Sequence, residues 1–202
     1  MTHKTFINIC LTLIALCWTM AIQAQTATVD GINYYLRSDK TAEVTKSNVT
    51  GDIVIPEKIT VDGVEYSVTS IGFWAFAECK ALTSVAMPLV TSIGDGAFNS
   101  CSSLTSVDMP LVKSIGGIAF WVCSSLTSVA MPLVTSIGVQ AFENCSSLTT
   151  VTMPSVTSIG DGAFNGCPIT NLSLPATLTS IGNSCFTDSR EITLAATTPA
   201  AL

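Results

Sequence analysis

The sequence predicts a solenoid, a β-rich fold in which short repeated units with short helical turns stack as successive coils. The dipeptide Ile-Gly recurs six times at intervals of 22 residues, followed by Ala-Phe in five copies and by Cys-Phe in the sixth. Phenylalanine, cysteine and leucine keep fixed places within the same interval. Because a unit of this length is too short to bury its own apolar side chains, successive copies must share one continuous core.

Each recurring apolar position defines a column, by which we mean the residues that occupy the same place in successive coils. The predicted core columns contain Phe76, Phe98, Phe120, Phe142, Phe164 and Phe186; Cys79, Cys101, Cys123, Cys145 and Cys167; and Leu82, Leu104, Leu126 and Leu148. In the strand that starts at Leu82, alternation places Val85 and Met87 on the inner face. Pro88 ends this strand because proline has no N–H to donate. The glycine of each Ile-Gly pair, such as Gly72, allows a tight corner of the chain, and we call it the corner glycine. One helical turn that contains Ala-Phe is predicted after it.

The segment ahead of the repeats has a different pattern. Residues 25–68 lack the 22-residue interval but contain the turn dipeptides Asp30-Gly31 and Asp62-Gly63, each flanked by residues typical of strands. We therefore expect an N-terminal antiparallel β cap over residues 25–68. A solenoid of about six coils is predicted over residues 69–190, followed by a tail over residues 191–202.

These segments resemble the BspA-like leucine-rich repeat family, whose units carry the motifs L-T-S-V-x-M-P, T-S-I-G and A-F-x-x-C. The resemblance covers about residues 28–200. It implies a leucine-rich-repeat solenoid in a bacterial protein that is secreted or displayed at the cell surface. It also implies a binding or adhesion role, and no enzymatic chemistry.

The first residues are typical of a signal peptide. Residues 6–22 are mostly apolar behind Lys4, and the run ends near Ala24, a small residue where a signal peptidase would cut. A retained membrane anchor is the alternative, although polar residues interrupt the run. We expect residues 1–24 to be removed and the protein to be exported, either secreted or held at the cell surface.

Composition argues against several classes of function. Seven Lys and Arg residues follow Ala24, against fourteen acids, so nucleic acid is not an expected partner. The only histidine is His3, within the predicted signal peptide, which leaves none for a nucleophile pair or an imidazole metal site. Asp95-Gly96 and Asp161-Gly162 are interpreted as turns rather than calcium ligands. The sequence therefore predicts no catalytic residue, no metal and no cofactor.

Six cysteines follow residue 24, and two interpretations of them stay open. Coils stacked about 4.8 Å apart would bring cysteines of one column within reach of a disulfide. Parallel side chains in one column do not point at each other, however, so a ladder of buried thiols is favoured.

Aromatic residues in otherwise small or polar columns are the first candidates for a ligand site. Trp121 falls in a column between Asn99 and Glu143, and this set combines a stacking surface with amide and carboxylate groups. Phe73 and Trp74 likewise lie in columns with an aspartate and a glycine. The alternative interpretation is that Trp121 packs locally under the turn.

A second candidate surface is the water-facing side of the strands, where hydroxyl residues such as Ser106 and Ser128 form one column. That face would accept hydrogen bonds from a glycan or an extended polypeptide, although a solvated strand carries the same residues. The expected function is a non-enzymatic binding or adhesion module whose partner is a host glycoprotein, another extracellular protein or a glycan. A glycan-binding accessory protein and a structural, self-associating surface element are the alternatives.

The carboxyl end predicts one further partner. After Ile181 and Phe186 the sequence contains no further Ala-Phe unit, whereas repeat arrays need their last coil covered. Either the chain is a truncated copy or another molecule covers this coil. A homodimer through the C-terminal coil is the predicted arrangement, because two identical ends close about a twofold axis.

Overall fold

The computed structural model describes residues 25–170 and 172–194, and this part of the chain forms seventeen strands. The strands are β1 Gln25–Val29, β2 Ile32–Leu36, β3 Thr41–Val44, β4 Gly51–Val54, β5 Lys58–Val61, β6 Val64–Ile71, β7 Leu82–Ala86, β8 Ser92–Ile93, β9 Ser106–Asp108, β10 Ser114–Ile115, β11 Ser128–Ala130, β12 Ser136–Ile137, β13 Thr150–Thr152, β14 Ser158–Ile159, β15 Leu172–Leu174, β16 Ser180–Ile181 and β17 Ile192–Leu194. The described segments include no helix long and apolar enough to cross a membrane. The predicted signal peptide, residues 1–24, lies outside the described residues, as does most of the predicted tail.

The repeats form the predicted leucine-rich-repeat solenoid. The two-residue strands β8, β10, β12, β14 and β16 pair in parallel, with each isoleucine opposite the isoleucine 22 residues later. The longer strands stack on another side of the coils, in the orders β4-β7-β9, β11-β13 and β15-β17. We number the coils 1 to 6 by their corner glycines, which are Gly72, Gly94, Gly116, Gly138, Gly160 and Gly182.

An N-terminal antiparallel cap is present as predicted and is continuous with the solenoid. Strands β1, β2 and β3 pair antiparallel, and β5 pairs antiparallel with β6. Strand β3 then pairs in parallel with β6, and β4 pairs in parallel with β7. Residues of the cap therefore add a further coil ahead of coil 1 and cover its core.

The core is built from the predicted columns. Phe76, Phe98, Phe120, Phe142 and Phe164 are fully buried. Neighbouring rings in this column stack with their centroids 4.9–5.3 Å apart. Val85 and Met87 of the inner strand face are also buried, as the alternation predicts. The solenoid is thus stabilised by ladders of like side chains rather than by one compact centre.

The cysteines form the predicted ladder of buried thiols. All six cysteines of the described residues are free and buried. Within the ladder, each thiol donates to a carbonyl oxygen of the preceding coil, as Cys123 Sγ does to Phe98 O at 3.2 Å. Burial raises the pKa of Cys101 to about 12. Since the thiolate is the reactive species, this burial makes Cys101 a poor nucleophile.

The predicted helical turn after each corner glycine is wrong. The residues there form successive tight turns, because the backbone has a positive φ at the second and sixth positions after the glycine, as at Trp74 (51°) and Glu78 (62°). Backbone N–H groups also point along the solenoid, so that Phe76 N donates to Ala97 O of the next coil at 2.7 Å. A helix would require these groups to bond within their own segment.

Candidate functional site: a groove between two tryptophans

The turns of coils 1 to 4 form an open groove with a volume of about 490 Å³. It is lined by Trp74, Asn99, Ile118, Trp121, Gln140, Glu143 and Asn144, and we call it the two-tryptophan groove. Its lining residues come from the second, fifth and sixth positions after the corner glycines. Because the 22-residue interval stacks these positions directly, residues far apart in the sequence lie side by side.

Trp74 is held against the backbone of the next coil. A Cβ atom added to Gly96 would lie 2.7 Å from Trp74 Cε2, so the indole occupies space that only a glycine leaves open. The ring of Phe73 packs edge-on against that indole, with the centroids 5.8 Å apart. The tryptophan of coil 1 therefore fits because the same position of coil 2 is a glycine.

Coil 3, which carries Trp121, has β-branched residues at the two left-handed positions of the repeat. Ile118 and Val122 have φ values of 48° and 56°, in the left-handed region. β-branched residues are rarely found there, because Cβ crowds the backbone. A β-branched residue in this conformation costs on the order of 1–3 kcal/mol. These two residues lie at either end of the segment that contains Ala119, Phe120 and Trp121.

A network of hydrogen bonds fixes the acidic side of the groove. Gln140 Nε2 donates to Glu143 Oε2 at 2.6 Å, and Asn165 Nδ2 donates to Glu143 Oε1 at 3.0 Å. The carboxylate of Glu143 is therefore oriented by one residue of its own coil and one of the next. It forms no ion pair with any of the described residues.

Asn99 is the buried polar residue of the groove. Its side chain is 6% exposed, and its Oδ1 accepts a hydrogen bond from Ser100 Oγ at 2.8 Å. No partner for its amide nitrogen is found among the described residues. An amide donor at the edge of a groove, with no partner among the described residues, is available to a ligand.

The structure brings together four of the seven residues proposed from the sequence. Trp74, Asn99, Trp121 and Glu143 all line the two-tryptophan groove. Phe73 is adjacent, in contact with Trp74, but does not line it. Whether these residues bind a ligand stays a prediction.

The two serines lie elsewhere. Ser106 and Ser128 are exposed on strands β9 and β11 and do not line the groove. Ser106 pairs with Ser84, and Ser128 pairs with Thr150, so the predicted hydroxyl column exists as a separate surface.

Three residues line the groove that are not predicted from the sequence as site residues, namely Ile118, Gln140 and Asn144. The 22-residue interval contains the signal for two of them, because Ile118 and Gln140 occupy the column of Trp74. Asn144 follows Glu143 directly. Aligning whole turns, rather than single aromatic columns, would have found all three.

The Asp-Gly pairs of coils 2 and 5 lie in turns, where each aspartate accepts a backbone hydrogen bond. Asp95 Oδ1 accepts a hydrogen bond from the backbone N–H of Gly117 at 2.7 Å, and Asp161 Oδ1 accepts one from Asn183 at 2.7 Å. Each carboxylate thus joins its coil to the next. Within residues 25–170 and 172–194, no three His, Cys, Asp or Glu side chains are grouped so as to hold a metal ion.

The C-terminal coil, where the sequence predicts a homodimer contact, has apolar residues at its surface. Ile181 is 48% exposed and Ile192 is 41% exposed. Strand β17 pairs in parallel with β15, so residues after coil 6 continue the stack. The dimer stays a prediction.

Comparison with known proteins identifies the repeat. Residues 57–133 and 113–198 match the BspA type leucine rich repeat region, in six copies. A leucine rich cell surface protein from Faecalibacterium prausnitzii is 34% identical, with a TM-score of 0.64 over 86% of this chain and 55% of that one. This chain therefore spans about half the length of that relative.

Two more distant structures show the fold alone. A leucine rich repeat protein of T. pallidum is 23% identical, with a TM-score of 0.57 over 84% of this chain and 86% of that one. The pneumococcal vaccine antigen PcpA is 19% identical, with a TM-score of 0.68 over 84% of this chain and 49% of that one. No curated protein matches the chain significantly. The chain belongs to the BspA-type leucine-rich repeat family.

Proposed function

We propose that this protein is an exported, non-enzymatic adhesion module that recognises host glycoproteins or other extracellular proteins through the two-tryptophan groove. Family membership supports the general role, and the F. prausnitzii relative is itself described as a cell surface protein. The residues that line the two-tryptophan groove support it as the surface of contact. The predicted signal peptide in residues 1–24 supports export.

One observation carries the assignment to this surface. Two indole rings, a buried amide and an oriented carboxylate come from four different coils and converge on one groove. Tryptophan is enriched at the energetic centres of interfaces, because its large apolar ring buries well while its N–H still donates.

Replacing Trp121 should therefore weaken binding. Purified protein would be passed over a panel of immobilised extracellular glycoproteins that includes a mucin and asialofetuin, with binding followed by surface plasmon resonance. For the glycoprotein that is bound, Trp121→Ala should cost about 2 kcal/mol or more, roughly a thirtyfold loss of affinity. Trp121→Phe should retain part of the binding, because it keeps an aromatic face.

Two control variants separate loss of the groove from loss of the fold or use of another surface. Leu111→Ala changes an exposed apolar residue outside the groove and should bind normally. Ser128→Ala tests the hydroxyl face of the strands and should also bind normally. If Ser128→Ala abolishes binding while Trp121→Ala does not, or if no member of the panel is bound, the proposal is wrong.

A further inference from the structure

We infer that the two-tryptophan groove holds an uncharged pyranose sugar, as part of a glycan carried by the ligand. This inference rests on the proposed function and names the chemical class that the site recognises. A pyranose has an apolar face of C–H groups and a rim of hydroxyl groups. It is bound by a flat apolar surface placed beside a set of hydrogen-bonding groups, and the groove contains both.

The indoles of Trp74 and Trp121 supply the aromatic surface of the groove. They come from coils 1 and 3, and two coil spacings of about 4.8 Å separate their backbone positions by roughly 10 Å along the solenoid. The contact with Gly96 fixes the indole of Trp74, so little rotamer freedom is lost when a ligand stacks on it. A rigid aromatic face of this kind binds at low entropic cost.

The polar groups of the groove complement sugar hydroxyls. The amide nitrogen of Asn99 has no partner among the described residues and offers a donor from a largely buried position. The Glu143 carboxylate accepts one hydrogen bond at each oxygen from Gln140 and Asn165. A carboxylate has about four acceptor sites, so about two remain for hydroxyl groups. The groove thus contains a donor and acceptors two coils apart, on either side of Trp121.

Charge and size favour a neutral sugar over a charged sugar or a polypeptide. No Lys or Arg lines the groove, and Glu143 makes it negative, so acidic sugars and phosphates are repelled. Its volume of about 490 Å³ lies in the range of about 300–1,000 Å³ that small-molecule sites occupy. A protein contact instead buries roughly 800 Å² on each partner, a much wider surface than a single groove.

The test compares a bound glycoprotein before and after enzymatic removal of its glycans, with galactose, mannose and N-acetylneuraminic acid as free competitors. Deglycosylation should lower the affinity by about tenfold or more. At least one neutral hexose should compete, and N-acetylneuraminic acid should not. Glu143→Gln should weaken binding by about tenfold, since hydrogen bonds to a charged acceptor are the stronger ones, whereas the matched acid variant Asp108→Asn on strand β9 should bind normally.

The outcomes distinguish this inference from the proposed function. If the deglycosylated protein binds equally well and Trp121→Ala still abolishes binding, the ligand is a polypeptide, the sugar assignment is wrong and the proposed function stands. If Glu143→Gln strengthens binding, the ligand is anionic and the assignment to an uncharged sugar is wrong. If neither Trp121→Ala nor Trp74→Ala affects binding, both proposals are wrong.

Discussion

Phe120→Ala should destabilise the protein by about 3–5 kcal/mol, the usual cost of removing a buried phenylalanine ring. Phe120 is fully buried in the middle of the phenylalanine column. Its ring stacks on Phe98 at 5.0 Å and on Phe142 at 4.9 Å. Truncation therefore leaves a cavity between two coils that the neighbouring rings cannot fill without moving the backbone. Urea denaturation followed by circular dichroism measures the loss as a lower transition midpoint.

Phe73→Ala is the matched control, because the same atoms are removed from a side chain that is 70% exposed. Among residues 25–170 and 172–194 its only aromatic partner is Trp74, and such a pair contributes about 1 kcal/mol. Ser128→Ala on strand β11 should change stability by no more than about 0.5 kcal/mol. Equal midpoints for Phe120→Ala and Phe73→Ala would contradict the register of the solenoid.

Gly116→Ala should also be strongly destabilising, for a reason specific to stacked coils. A Cβ atom on Gly116 would lie 2.6 Å from Asp95 N and 2.7 Å from Gly94 C, both backbone atoms of the preceding coil. Neither atom can move without separating the coils, so we expect a cost of about 1–3 kcal/mol or more. The shift in the thermal or urea midpoint measures it.

The neighbouring residue supplies the control. A Cβ atom on Gly117 would have Val139 O as its nearest contact, at 3.3 Å. Gly117→Ala should therefore stay within about 1 kcal/mol of the parent protein, with either sign, because alanine also restricts the unfolded chain. If both variants lose the same stability, close stacking at the corner glycine is not the reason for this column of glycines.

The sequence predicts the stacking well because every coil repeats it. Phe120, Cys123 and Leu126 return at a constant interval, so columns are visible without any knowledge of local geometry. The turns are harder to predict. Glycine marks the left-handed position at Gly96 and Gly162, but Ile118 occupies the same place in coil 3 with a φ of 48°. A β-branched residue is rarely found in this conformation, so the sequence of coil 3 does not reveal the left-handed position. A helical turn is therefore predicted where none forms.

The candidate site was only partly predictable for a related reason. Columns show which residues stack along the solenoid, and in this way Asn99, Trp121 and Glu143 are placed together. They do not show which columns approach each other across a turn. Gln140 meets Glu143 because two tight turns fold back within one coil. That contact depends on turn geometry, which the interval does not encode.

Hydroxyl-radical footprinting of the purified protein, with and without a bound glycoprotein of the panel, tests most directly whether the two-tryptophan groove is the binding surface. Tryptophan occurs after residue 24 only at positions 74 and 121, so oxidation of both can be read separately by mass spectrometry. Tyr35, an exposed aromatic residue of the N-terminal cap, serves as the internal reference. We predict that the bound ligand lowers oxidation of Trp74 and Trp121 and leaves Tyr35 unchanged. Oxidation of both tryptophans at the rate of the free protein, under conditions where the ligand is bound, would contradict the assignment of the groove.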